Sequence, residues 1–229
     1  VSNSYSGNGE IIEMDFAQLE FRVAAFLSQD SQAIQDILEG VDVHQNTANV
    51  IGCDRQTAKA HTFKPLYGGM SGTDEEKKYY SYFRKRYKGI TLWQEQTEDT
   101  AISTSFVTLP SGRQYYFEGI KRASWGGSNF YTQVRNYPVQ GFATGDIVPV
   151  ACIDIYKSMK NMRTRLINTV HDSIIIDAHP EEVDSVLNKL KKACDGITQS
   201  INKRYNIDFN VPLDYEIKKG HNWLDLKRI

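Results

Sequence analysis

Two aspartates set in apolar, strand-like runs are the residues of this 229-residue chain best suited to chemistry. Asp15 follows Glu10-Ile11-Ile12-Glu13-Met14, and Asp172 follows Arg165-Leu166-Ile167-Asn168-Thr169-Val170-His171. Both runs are rich in β-formers, which places each carboxylate at or near the end of a buried strand. A buried carboxylate is costly unless it is paired or holds a metal. Two of them, meeting at the end of one sheet, make a site for divalent cations. In the sequence between them runs Arg55-Gln56-Thr57-Ala58-Lys59-Ala60-His61-Thr62-Phe63-Lys64-Pro65-Leu66-Tyr67-Gly68-Gly69. On a helix Arg55, Lys59, Phe63 and Tyr67 step by four and share one slowly drifting face. From Arg55 to Phe63 the rise is about 12 Å, roughly the reach from a nucleoside triphosphate's last phosphate to its base. The helix N-terminus adds its own attraction for phosphate. Metals with a triphosphate-binding helix point to nucleotidyl transfer.

Each feature has a plainer reading. A strand-end aspartate is often a turn residue or a helix cap, and the basic helix reads equally as an exposed face with two core aromatics. His171-Asp172 also fits a metal phosphohydrolase pair. That reading needs further histidine ligands, and His44, His61, His179 and His221 are scattered.

The elements that must position these residues follow from pattern. A strand over 10–15 leads into an amphipathic helix over 18–27. Asp42 caps a helix ending before Gly52, and Asp54 caps the basic helix over 54–67. Residues 74–88 and 91–103 read as helices, and 105–109 with 113–117 as a hairpin around Pro110-Ser111-Gly112. Residues 129–160 are helical with a break expected near Pro138. A second hairpin joins 165–170 to 174–177 through His171-Asp172-Ser173. A long helix from Pro180 to about Tyr205 precedes a last strand, Val211–Ile217. The fold class is therefore α+β, an antiparallel sheet carrying helices on one face, with the helical stretch 30–130 as a subdomain.

Composition limits the rest. The chain is long enough to bury a sizeable core, and no stretch reaches the ~18–20 apolar residues of a membrane span. The N-terminus shows no secretory pattern. It starts without Met and runs almost at once into a strand, which reads as a piece of a longer chain or a processed start. Three cysteines, Cys53, Cys152 and Cys194, lack metal-ligand spacing and read as small apolar fillers in a reducing compartment. The formal charge is −1, against the basic excess of a free-standing nucleic-acid binder. Arg84-Lys85-Arg86-Tyr87-Lys88 is open to two readings, a phosphate contact or a solvated helix face.

Taken in order, the motifs resemble the family A DNA polymerases of the bacterial DNA polymerase I type. Asp15-Phe16-Ala17-Gln18-Leu19-Glu20-Phe21-Arg22-Val23 is similar to motif A, Arg55…Lys59…Phe63…Tyr67-Gly68 to motif B, and Val170-His171-Asp172 to motif C. Asp42-Val43-His44-Gln45-Asn46-Thr47-Ala48 and Asn136-Tyr137-Pro138-Val139-Gln140-Gly141 agree as flanking elements, and the likeness runs on through Pro212-Leu213 and Gly220-His221-Asn222-Trp223.

The resemblance implies roles. Asp15 and Asp172 would hold two Mg²⁺ ions, with Mn²⁺ able to substitute. Arg55, Lys59 and His44 would grip phosphates, with Lys59 also protonating the leaving pyrophosphate. Phe63 would stack near sugar and base, Tyr67 would lie by the template base, and Gln18 and Glu20 would border the dNTP, Glu20 crowding the 2′ position. Asn136, Gln140 and His171 would contact duplex DNA, and Arg22 would support the site on that side. The implied partners are primer-template DNA and dNTPs, in a bacterial or phage-infected cytoplasm, with no membrane.

An antiparallel palm sheet (1–29 and 131–229) and helical fingers (30–130) are expected, with the thumb, any exonuclease domain and the first part of the palm before Val1. Three positions depart from the family pattern: Lys64-Pro65 where Gly commonly follows the motif B aromatic, Ser173 in place of Glu, and Thr132 in place of Arg. Pro65 cannot donate to the carbonyl of His61, so the helix should kink or loosen there. Two rivals remain at this point, a non-catalytic DNA- or partner-binding module and the phosphohydrolase.

Overall fold

The computed structural model describes residues 9–229. All of the N-terminal tract read above for a leader except Gly9 lies outside them. Strand β1 (Glu10–Phe16) opens the chain, followed by helices α1 (Leu19–Ser28) and α2 (Ser31–Leu38). Next come α3 (Val43–Ile51) and α4 (Arg55–Thr62). Their starts are set by Asp30, Asp42 and Asp54, whose side chains accept from the first-turn amides of α2, α3 and α4. Gly52, at φ 79°, ends α3 in the left-handed conformation that glycine adopts without strain. A 3₁₀ turn over Lys64–Tyr67 leads to α5 (Asp74–Arg86), which a reciprocal Thr73–Glu76 capping box starts. Helix α6 (Lys88–Thr104) runs into the hairpin β2 (Phe106–Thr108) and β3 (Gln114–Tyr116). Then follow α7 (Tyr131–Phe142), a π-helical stretch (Ala143–Ile147) and α8 (Val148–Ser158). Strands β4 (Arg165–Val170) and β5 (Ser173–Ala178) precede α9 (Val183–Asp195) and α10 (Ile197–Tyr205), and β6 (Tyr215–Gly220) and β7 (Lys227–Arg228) close the chain.

The chain divides into two compact units. The first takes the described residues up to Leu19, with Ala143–Phe209 and Leu213–Ile229; the second takes Glu20–Phe142 and Asn210–Pro212. In the first unit an antiparallel sheet runs in the order β4-β5-β1-β6-β7. Side chains alternate across a strand, so Ile12, Met14 and Phe16 share a face with Ile174, Ile176, Ala178 and Ile217, all buried. The other face carries Glu13, Asp15, Ser173, Asp177, Glu216 and Lys218. There Ile11 and Ile175 are nonetheless buried, where with Ile167 and Trp223 they line a hollow of about 220 Å³. Helix α8 packs on α9 and α10 with Ala151, Ile155, Val186, Leu190 and Ile201 buried.

In the second unit a run of rings forms the core. Phe21, Tyr87 and Phe83 meet edge to face at 5.2 and 4.8 Å, and Tyr79 adjoins Phe83 at 6.2 Å. Beside them the buried Asp36 accepts from Arg86 Nε and Nη2, Tyr87 Oη and Gln32 Nε2. Within the 84–88 cluster Arg86 is tied inward by Asp36, and Arg84 pairs with Glu95 at 3.2 Å. Of the cysteines, Cys194 is buried and Cys53 and Cys152 are half-buried. All three are free, and burial pushes the Cys194 thiol up to about 12.

Four expectations need correction. The motif B helix stops at Thr62 instead of running to 67, because Pro65 has no N–H for the His61 carbonyl. Pro138 stays inside α7, and the irregularity falls later, in the π-helical stretch. The helix expected over 180–205 is a 3₁₀ turn and two α-helices parted at Gly196, whose N–H turns back to Ala193 and Cys194. The last long strand is Tyr215–Gly220, not 211–217; Pro212 cannot donate to a ladder, and pairing begins after it.

Candidate active site

In the first unit, strand register builds a carboxylate corner. Asp15 is the penultimate residue of β1, facing Ser173 of β5 on one side and Glu216 of β6 on the other. Asp172 sits in the two-residue turn between β4 and β5, beside His171 at φ 54°. The Phe16 amide donates to the Asp172 carbonyl at 3.3 Å, which draws the turn alongside the end of β1. Ser173 Oγ donates to Asp15 Oδ1 at 2.7 Å. Burial raises the pKa of Asp172, and the adjacent Asp15 carboxylate raises it further. Two like charges held together in a half-buried corner are the donor chemistry of a hard divalent cation. Mg²⁺ in particular takes one or two carboxylates and leaves its other positions to water and substrate phosphates. Asp15 and Asp172 fit it on that ground. Among the described residues no group of three or more His, Cys, Asp or Glu is arranged to hold a metal.

In the second unit, α4 presents the cations. Arg55 is exposed and its Nε pairs with Asp42 Oδ2 at 2.7 Å. One turn on, Lys59 is exposed and makes no ion pair among the described residues. Phe63 caps the helix, its ring stacked on Phe21 at 6.0 Å and edge-on to His44 at 5.1 Å. The His44 imidazole contacts Thr62 Oγ1 at 3.1 Å. Burial and the Arg55 charge hold its pKa below the usual histidine value, so it is neutral at neutral pH. The early end of α4 frees backbone carbonyls, and long side chains satisfy them. Tyr79 Oη donates to Thr62 O at 3.0 Å, and Gln94 Nε2 to Pro65 O and Leu66 O at 3.1 and 2.8 Å. Tyr67 is the last residue of the 3₁₀ turn and leaves the four-residue step. Glu20 is half-buried in α1.

Residues 3–225 match the sequence pattern of DNA polymerase family A. The chain belongs to that family. It is 28% identical to DNA polymerase I of Caldicellulosiruptor bescii and 25% identical to the thermostable DNA polymerase I of Thermus aquaticus, over 96% and 95% of its own length. It spans 27% of each of those relatives, about a quarter of their length. A solved structure described as the POL domain of Pol1 from M. smegmatis in complex with DNA primer-template and dNTP shares its fold. The TM-score is 0.75 at 22% identity, covering 96% of this chain and 41% of that one.

The remaining residues singled out by the family A motifs fall as follows. Gln18, at φ 53°, forms the turn after β1, and His171 is exposed at its own turn. Arg22 is buried and its Nη1 donates to the Pro212 carbonyl at 2.5 Å. Asn136 and Gln140 lie one turn apart on α7. Gln140 is exposed, and the buried Oδ1 of Asn136 has no hydrogen-bond partner. The motifs missed Gln94 and Tyr79, which hold the end of α4 from helices distant in sequence. A polar residue at 94 amid helical apolar spacing was the available signal. They also missed Ser173 as a ligand-side partner of Asp15, which only the β1–β5 register reveals.

Proposed function

We propose that this chain carries the palm and fingers of a DNA-directed DNA polymerase, adding dNMP from dNTP to a primer 3′-hydroxyl with two Mg²⁺ ions. The meeting of Asp15 and Asp172 at one corner, in a chain of this family, carries the reading. Bound there, the ions would lower the pKa of the primer hydroxyl and neutralise the triphosphate. Residues 1–29 and 131–229 form the palm and residues 30–130 the fingers. Asp15 and Asp172 hold the cations. Lys59, exposed and unpaired, grips phosphate and protonates the leaving pyrophosphate. Arg55 exchanges Asp42 for phosphate, and His44 contributes as a neutral hydrogen-bonding group. Phe63, already stacked on Phe21, offers its remaining face to sugar and base, with Tyr67 beside the template base. Gln18 and Glu20 border the nucleotide, Glu20 excluding a 2′-hydroxyl by contact. His171, Asn136 and Gln140 take the duplex, Asn136 through its unpartnered oxygen, and Arg22 braces the second unit.

The partners are primer-template DNA, dNTPs and the thumb and any exonuclease domain of a longer chain, in the cytoplasm of a bacterial or phage-infected cell. No described helix is long and apolar enough to cross a membrane. With a formal charge of −1, residues 1–229 alone should bind primer-template weakly and with steep salt dependence, and extend it little. The phosphohydrolase reading has no histidine cluster to support it among the described residues.

Asp15→Asn and Asp172→Asn, made in the longer protein, test the assignment. Primer extension should fall by more than about 10³-fold, on the scale of a lost contact to developing charge, while duplex affinity changes far less. An active Asp172→Asn enzyme would remove the basis for the reading.

A further inference from the structure

Ser173 is held on both sides by backbone pairing, opposite Val170 in β4 and opposite Asp15 in β1. The ladder, and not a long flexible side chain, therefore sets where its hydroxyl stands. That hydroxyl has one proton to give, and gives it to Asp15 Oδ1 at 2.7 Å. The neighbouring charges on this face are otherwise engaged. Lys218 pairs with Glu13 at 3.0 Å, and Glu216, facing Asp15 from β6, pairs with Arg228 at 2.9 Å. A neutral donor on one oxygen fixes the Asp15 carboxylate, offsets part of its repulsion with Asp172, and leaves the second oxygen to a cation. We propose that Ser173 is a positioning residue for divalent-cation binding at the Asp15–Asp172 corner. The proposal rests on the metal role assigned above and adds to it a residue that never touches the ion.

Partners behind a metal ligand typically change affinity by about 10- to 100-fold when removed. The test is Mn²⁺ titration of residues 1–229, with free ion followed by electron paramagnetic resonance, and metal-free melting recorded in parallel. Ser173→Ala should weaken Mn²⁺ binding about tenfold or more with little change in melting. Ser173→Thr keeps the hydroxyl and should bind as the wild type does. Asp15→Asn should abolish the site. If Ser173→Ala binds as tightly as wild type while Asp15→Asn does not bind, the inference about Ser173 fails and the metal site stands. Equal weakening in the alanine and threonine variants would assign the effect to packing and also overturn it. If wild type and Asp15→Asn titrate alike, the metal reading falls and this inference with it.

Discussion

The carboxylate corner and the α4 arm are built by opposite means. At the corner, backbone pairing does the positioning: Asp15, Ser173 and Glu216 face one another in register, and one amide, that of Phe16, ties the Asp172 turn to β1. At α4 the backbone gives way at Pro65, and side chains from other helices, Tyr79 and Gln94, hold what the helix ladder lets go. Strand register leaves a carboxylate pair little freedom, which suits cation ligands whose spacing must not drift. A helix that ends early on borrowed hydrogen bonds is easier to displace, which suits a nucleotide-gripping element that must release product.

Lys59→Ala removes the proposed acid on the arm, and kcat for extension should fall by about 10²-fold or more, the usual reach of general acid catalysis. A loss beyond that of the aspartate variants would invert the ranking of the two regions. Gln94→Ala leaves the Leu66 carbonyl without its donor in a nearly solvent-free site, while the Pro65 carbonyl keeps the Gly68 amide at 3.1 Å, and should lower stability by about 1–3 kcal/mol in chemical denaturation. An unchanged midpoint would mean that the arm is self-supporting.

Asp172→Asn should have the smallest effect on folding, and an opposite sign. The folded pKa of Asp172 is raised. Its neutral form is therefore favoured by folding, and the stability it contributes is complete below the ordinary carboxylate value of about 4. That contribution is lost as pH rises through the folded value. In chelator at pH 7 the asparagine variant should thus melt above wild type, the gap closing as pH falls below about 4. Excess Mg²⁺ should favour wild type instead. A variant less stable at pH 7 in chelator would show that Asp172 is held by attraction rather than repulsion.

The parts of this plan written in local residue chemistry were legible in the sequence. Asp42, Asp54 and Gly52 bound their helices as capping rules require, and Pro65 announced the weakness in α4. The alternation of β1 and the isoleucine run of β5 marked the central strands. What escaped was set by distant partners. Gln94 lies 29 and 28 residues beyond the two carbonyls it serves, and Tyr79 17 residues beyond its own, so the fate of Tyr67 at the break could not be read locally. Pro138 is tolerated inside α7, where the proline rule placed a break. Ser173 read as the loss of a carboxylate until register put its hydroxyl on Asp15.

Template-directed incorporation of single nucleotides by the longer protein decides whether the Asp15–Asp172 corner performs nucleotidyl transfer. Each of four primer-templates, differing in the first unpaired template base, is offered all four dNTPs singly, with Mg²⁺ and then with chelator. Nucleotidyl transfer there predicts extension by the complementary nucleotide alone, with release of pyrophosphate, stopped by chelator and restored by Mg²⁺. Release of phosphate or nucleoside without a template, or extension indifferent to chelator, would contradict it.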